Sequence, residues 1–268
     1  MLIVLSPSKT LRDSRSVPKN EPPLLQGKCS QPEHLDRAER LVQRLQRLKP
    51  AELRKLMNLS DKLAAEVDSY NHQWKPPFTA KNSRPAVLTF LGDVYEGLAA
   101  EAFQQRDLKY AQQHLRILSG LYGLLRPLDF MQPYRLEMGC KLSQRTGPSA
   151  GRFQNLYDFW GGTVRESLAT ALSEQGDNVL INLASNEYFK AVQAKQLDAQ
   201  VITPTFKEMK NGKYKVLSFF AKKARGQMSR FILLNRLSKP EELQDFSEDD
   251  YRFNKELSSE HEPVFTRG

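Results

Sequence analysis

Cysteine, histidine and tryptophan are scarce in this chain, and each scarcity excludes something. Of 268 residues only Cys29 and Cys140 are cysteines, and neither has a CxxC neighbour. That rules out a disulfide scaffold and suits a reducing cytoplasm, the expected location. The four histidines, His34, His72, His114 and His261, stand far apart with no partner at ligand spacing. No metal site and no cofactor is therefore expected. No Ser-His-Asp order and no reactive cysteine pair appears. No run approaches the roughly 18 to 20 apolar residues of a membrane span, so no membrane partner is expected. The opening MLIVLSPSKT lacks a basic leader and a small-residue cleavage site, and reads as a buried first strand.

What is abundant is positive charge, unevenly spread. The formal net charge is +9. Residues 241–268 hold nine acidic and three basic residues, leaving residues 1–240 with a net of +15. A basic body suits a phosphate-rich partner such as DNA. Scattered surface lysines and arginines kept for solubility are the bland alternative.

The elements alternate. LIVLS (2–6) reads as a strand, followed by a proline-rich loop over 11–32. HLDRAERLVQRLQRL (34–48) puts Leu35, Ala38, Leu41, Leu45 and Leu48 on one helical face. Pro50 suits the first turn of a second helix, and Ser60 the N-cap of a third. AVLTF (86–90), LRILS (115–119), VLINLAS (179–185), VITPTF (201–206) and YKVLSFF (214–220) read as strands. Helices are expected between them, over 155–175 among others, and again over KKARGQMSRFILLNRL. Asn211-Gly212 signals a hairpin turn. YRFN and PVFTR close the chain as short β-like runs. The expected fold class is α/β: a mixed sheet with flanking helices and a helical insertion after the first strand. The strands are apolar runs, so both sheet faces should be covered. One domain over 1–268 is expected, with a helical insertion at 34–72 and an acidic segment at 241–268.

Polar residues recur where strands end: Ser8 and Lys9, Gly92 and Asp93, Gly120 and Tyr122, Asn186 and Glu187. Ligands of α/β sheets bind beyond the carboxyl ends of strands, so one shared pocket is expected. The competing reading is ordinary turns and caps. Lys9, in SPSKT, has hydroxyl neighbours suited to phosphate, though the glycines of a Walker A loop are missing. Lys222, Lys223 and Arg225 in AKKARG, with Arg126 and Arg135, complete a candidate DNA- or phosphate-binding cleft. Structural salt bridges to Asp129 and Glu137 are the alternative. If the chain is an enzyme, Lys9, Asp93, Tyr134, Glu137 and Glu187 are its candidate catalytic groups. Trp74 and Trp160 read as core or rim aromatics.

LSPSKT, LSGLYGLLRPLDFMQPYRLEMG, NLYDFW, INLASNEYFKAV and FFAKKARGQMSRFI, in this order, resemble the YaaA family of bacterial peroxide stress proteins nearly end to end. The resemblance implies a cytoplasmic protein that limits peroxide damage by lowering unincorporated iron. It also implies DNA binding through a positively charged cleft and a helix-hairpin-helix element, in an unusual α/β fold. That element has two possible homes, 48–66 and 115–127. Gly120 and Gly123 are three apart, where such hairpins carry glycines two apart, and the first candidate has none. A more distant similarity, to domains beside deazaguanine-modifying enzymes, implies a pocket for a nucleobase or nucleoside. Two readings follow: a DNA-binding stress protein, and an enzyme acting on a nucleobase, nucleotide or damaged DNA. In a third, the acidic C-terminal segment folds over the chain's own basic cleft.

Overall fold

The computed structural model describes residues 1–12, 29–144 and 152–268. Most of the loop expected over 11–32 thus lies outside the described residues. The fold is a mixed α/β arrangement centred on β1 (Leu2–Leu5), whose four residues are completely buried. It lies in a five-stranded sheet of order β4-β3-β1-β6-β7, with β3 Leu115–Ser119, β4 Gly123–Leu125, β6 Val179–Leu183 and β7 Gln200–Ile202. β3, β1, β6 and β7 run parallel, and β4 folds back antiparallel on β3. The apolar runs LIVL, LRILS and VLINL are buried throughout, as a sheet covered on both faces requires.

Three helices follow β1: α1 (Leu35–Leu45), α2 (Pro50–Met57) and α3 (Asp61–Gln73). Ala38, Leu41, Val42 and Leu45 form the buried face of α1. Pro50 opens α2, and the Leu63 N–H donates to the Ser60 hydroxyl that caps α3. α2 and α3 meet at Asn58, which adopts the left-handed conformation. The rival home for a helical hairpin, 115–127, is instead the β3–β4 hairpin.

Several expected strands turn out otherwise. AVLTF is a fully buried helical turn, α4 (Ala86–Thr89), in which the Thr89 hydroxyl donates to the Pro85 carbonyl. A short buried apolar run has no period by which to separate helix from strand. The pairings beside it are short: β2 (Arg84–Pro85) with β5 (Phe130–Met131), and an isolated antiparallel bridge between Phe90 and Leu11. VITPTF is divided at Pro204, which has no N–H for a ladder, so β7 and β8 (Thr205–Lys210) belong to different sheets. In YKVLSFF only the start is strand, β9 (Lys213–Lys215); Ser218 begins α10 (Ser218–Asn235). The helix expected over 155–175 is broken at Gly161, φ 51°, into α7 (Leu156–Trp160) and α8 (Thr163–Gln175).

Helices α5 (Asp93–Leu98) and α6 (Gln105–His114) lead into β3. α9 (Asn186–Phe189) is a short helix after β6. α10 crosses α5 at a glycine contact: a Cβ on Gly226 would sit 1.8 Å from the Val94 carbonyl oxygen. The second sheet has order β10-β11-β8-β9, with β10 Arg252–Phe253 and β11 Val264–Arg267. Phe265 of β11 pairs in register with Phe206 of β8, their rings stacked at 5.5 Å, and Phe246 and Tyr251 pack around them. The acidic C-terminal segment therefore supplies an interior strand. It is not a detachable tail.

Candidate functional site

Because β1, β3 and β6 are parallel, their carboxyl ends open on one side. Ser6 and Ser185 meet there: the Ser185 N–H donates to the Ser6 hydroxyl at 2.8 Å. The Tyr95 hydroxyl donates to the Ser6 carbonyl at 3.0 Å. The Tyr134 hydroxyl bonds Ser119 at 2.7 Å. Burial pushes the phenols of Tyr95, Tyr134 and Tyr188 above their ordinary value, and their mutual proximity adds to the effect at each of Tyr95 and Tyr188. They remain protonated donors at any physiological pH.

Charged groups cap this floor. Lys9 Nζ lies 2.7 Å from Glu137, whose other oxygen is 3.8 Å from Arg135. Glu187 accepts from the Gly139 N–H at 2.8 Å. A side chain at Gly139 would begin 3.0 Å from that carboxylate. Glu137, Gly139, Cys140 and Glu187 face Leu56, Met57 and Asn58 across a cavity of about 310 Å³. The turn between α2 and α3 thus borders the strand ends. Cys140 is half-buried, and burial pushes its thiol up to about 11, so it carries little thiolate at neutral pH.

Five expected residues come together here: Lys9, Tyr134, Arg135, Glu137 and Glu187. Asp93 opens α5 beside the group, one residue after Gly92, which faces the Ser8 hydroxyl. Arg126 is at the other end of the sheet. It follows β4, which runs antiparallel, and shares a 380 Å³ cavity with His114 and Arg116 at the amino end of β3. Its guanidinium is tied to the buried Asp129 at 3.0 Å, the structural salt bridge that the sequence allowed. Lys222, Lys223 and Arg225 lie within α10, not in a loop after a strand. Lys223 is held by Asp249 at 2.8 Å, Arg225 is partly buried, and Lys222 is exposed. The acidic segment does reach a candidate cation, through Asp249. Trp74 and Trp160 are core residues.

The sequence reading missed a second basic surface. Arg37, Arg40, Arg44 and Arg47 recur at helical spacing along α1 and just beyond it. Arg37 and Arg40 lie over the Phe159 ring at 5.0 and 5.5 Å, and Arg37 also over Trp160 at 5.4 Å. Arg44 donates to the Ser143 carbonyl at 3.1 Å. Arg40, Arg44 and Arg47 line a small cleft with Gln43, Gln144, Phe153 and Phe159. Arg37, Arg44 and Arg47 make no ion pair with a carboxylate among the described residues. The signal was legible as arginine at 37, 40, 44 and 47, along the flank of α1 beside the buried leucines.

Residues 117–144 connect these surfaces. Trp160, beneath Arg37, donates to the Gly120 carbonyl at 3.0 Å, beside the end of β3. Gly120 lets this turn approach the Leu136 carbonyl, which a Cβ would meet at 2.2 Å. The chain then supplies Glu137 to Lys9 with Arg135 on its other oxygen, Gly139 to Glu187, and Ser143 to Arg44.

A family model described as peroxide stress protein YaaA matches residues 1–257. The chain belongs to the YaaA family of peroxide stress proteins. Membership ties it to the peroxide stress response. Among the described residues, no helix is long and apolar enough to cross a membrane, and no group of three His, Cys, Asp or Glu side chains is placed to hold a metal ion.

Proposed function

We propose that this YaaA-family chain acts in peroxide stress by binding duplex DNA, with α1 as its principal phosphate-contacting face. The observation that carries the reading is the row of Arg37, Arg40, Arg44 and Arg47, of which Arg37 and Arg40 lie over Phe159, Arg37 also over Trp160, and Arg44 is held by the Ser143 carbonyl, while Arg47 lines the same cleft. Arginine offers bidentate geometry to phosphate, and a guanidinium already stacked loses less freedom on binding. Lys9, Lys223 and Arg126 are each engaged by a carboxylate within 3 Å, so phosphate would have to displace it. The α2–α3 turn at Asn58 is the remaining home for a helix-hairpin-helix contact. Protection of DNA is the direct effect in this reading, and lower unincorporated iron an indirect one.

A salt titration of labelled duplex tests it. Each lost phosphate contact lowers the log–log slope by about 0.9. Arg40→Gln with Arg47→Gln should therefore flatten it by about 1.8, while Arg135→Gln changes it little. An unchanged slope in the double variant would remove α1 as the track.

The strand-end group supports a second reading, a pocket for a nucleoside-type ligand or its hydrolysis. Lys9, Tyr134, Glu137 and Glu187 converge there around protonated phenols. Thermal-shift titration with nucleosides and nucleotides should give a rise that Lys9→Gln abolishes. No rise with any of them would leave the ion pairs as structural.

A further inference from the structure

A third surface serves neither reading. Between Lys207 and Lys222 the second sheet's outer hairpin and the first turn of α10 carry Lys207, Lys210, Lys213, Lys215 and Lys222. None of the five pairs with a carboxylate among the described residues. The one acidic residue in the stretch, Glu208, is turned inward to Arg267 at 2.8 Å and to Tyr251. Large apolar side chains stand exposed on the same hairpin and helix start; Met209 shares the sheet face of Lys207, opposite that of Lys210, Lys213 and Lys215, and the Arg267 guanidinium lies over the Phe220 ring at 4.7 Å. Phe219 is 61% exposed, Val216 51%, Met209 42% and Phe220 38%. Of the six large apolar side chains exposed on the described surface, four lie in these sixteen residues. Lysines on an edge strand such as β9 guard against strand pairing, but that role gives no reason for an open phenylalanine beside them.

We propose that this hairpin and helix start form a peripheral docking site for a surface of anionic lipid headgroups, with Phe219 and Val216 entering the interface. The charge complementarity is of a particular kind. The cations are all lysines, compact hydrated charges suited to a diffuse negative surface rather than to bidentate phosphate contact. The apolar groups include Val216 and Met209, which have no π-face on which a base can stack. A boundary of headgroups and acyl chains accommodates aliphatic and aromatic side chains alike, Val216 with Phe219, whereas a stacked single strand accounts for the phenylalanines alone. The contact is peripheral and needs no spanning segment, so it stands with the lack of apolar runs in the sequence. It is independent of the DNA reading, since it uses no residue of α1.

Co-sedimentation of the full chain with phosphatidylglycerol-containing vesicles, against phosphatidylcholine alone, tests the site. The expected result is pelleting with the anionic vesicles only, reversed by salt. Each of Lys213→Gln and Lys215→Gln should weaken partitioning about fivefold, and Phe219→Ser about tenfold. Phe219→Trp supplies a second readout: its emission, corrected for the two native tryptophans, should shift to the blue on vesicle addition. No pelleting with anionic vesicles overturns the proposal, as does pelleting with no emission shift. Binding of a single-stranded oligonucleotide but not of vesicles, lost in the same lysine variants, overturns it in favour of nucleic acid.

Discussion

Two basic surfaces of this chain are built on opposite plans. On α1 the cations are arginines: Arg37 and Arg40 lie over Phe159, Arg37 also over Trp160, and Arg44 is held by the Ser143 carbonyl. On the β8–β9 hairpin they are lysines, exposed and carrying open apolar neighbours. The first plan fixes charges in space before a ligand arrives, which favours a partner with regularly placed phosphates. The second leaves them mobile, which suits a partner whose charges are themselves diffuse. Net charge alone, +15 over residues 1–240, treats the two as one property.

The comparison breaks most readily at Arg37. Its guanidinium stacks on two rings and donates to the Phe159 carbonyl, so Arg37→Ala should cost about 1 to 3 kcal/mol of stability. Lys213→Ala, on the exposed edge, should stay within about 0.5 kcal/mol. Urea midpoints at constant m-value measure both. Equal costs would mean that α1 is no more prearranged than the hairpin.

A charge-conserving exchange sharpens the contrast at smaller cost. Arg44→Lys keeps the charge but loses the fork that holds the Ser143 carbonyl, and duplex affinity should fall about three- to tenfold. Lys213→Arg should leave vesicle partitioning within about twofold. Anisotropy and co-sedimentation at fixed salt read the two effects. If the duplex is indifferent to Arg44→Lys, α1 acts as bulk charge and the distinction of plans fails.

Why one surface was legible and the other was not follows from what each depends on. The parallel core was readable because LIVL, LRILS and VLINL are mostly apolar runs rather than alternating ones. The convergence of Lys9 with Glu137 and Glu187 followed from strand ends sharing a side. Arg126 misled because its position depends on β4 reversing direction, which returns the chain to the amino end of β3. The segment from Gly120 to Gly139 carries charges among leucines, and its role as a connector depends on tertiary contacts with Trp160, Lys9 and Glu187. AVLTF and YKVLSFF failed for a different reason: short apolar runs take their form from what covers them, and α10 is fixed by its glycine crossing with α5. The arginine row was visible at helical spacing, but only the ring of Phe159 beneath it separates a binding face from a solvated one.

The smallest expected effect lies where the acidic segment meets the lysines. Lys223 is the one lysine of residues 207–223 held by a carboxylate among the described residues, and that hydrogen bond holds the Asp249 carboxyl below its ordinary range. A carboxylate depressed in the folded state stabilises above its unfolded pKa, about 4, and loses that contribution as pH falls through the folded value. The wild type should therefore exceed Asp249→Asn in stability by a constant margin from about pH 5 to 8, and the margin should vanish on further acidification. The pair is partly exposed, so the margin should be under about 1 kcal/mol. Deleting the segment is no substitute, because β11 is an interior strand of the second sheet. The same substitution frees Lys223 and should raise anionic-vesicle partitioning by at most about fivefold, with duplex binding at α1 unchanged. A rise in duplex affinity instead would show that the acidic segment masks a phosphate contact on α10, and would join the two surfaces that α1 and the hairpin otherwise keep apart.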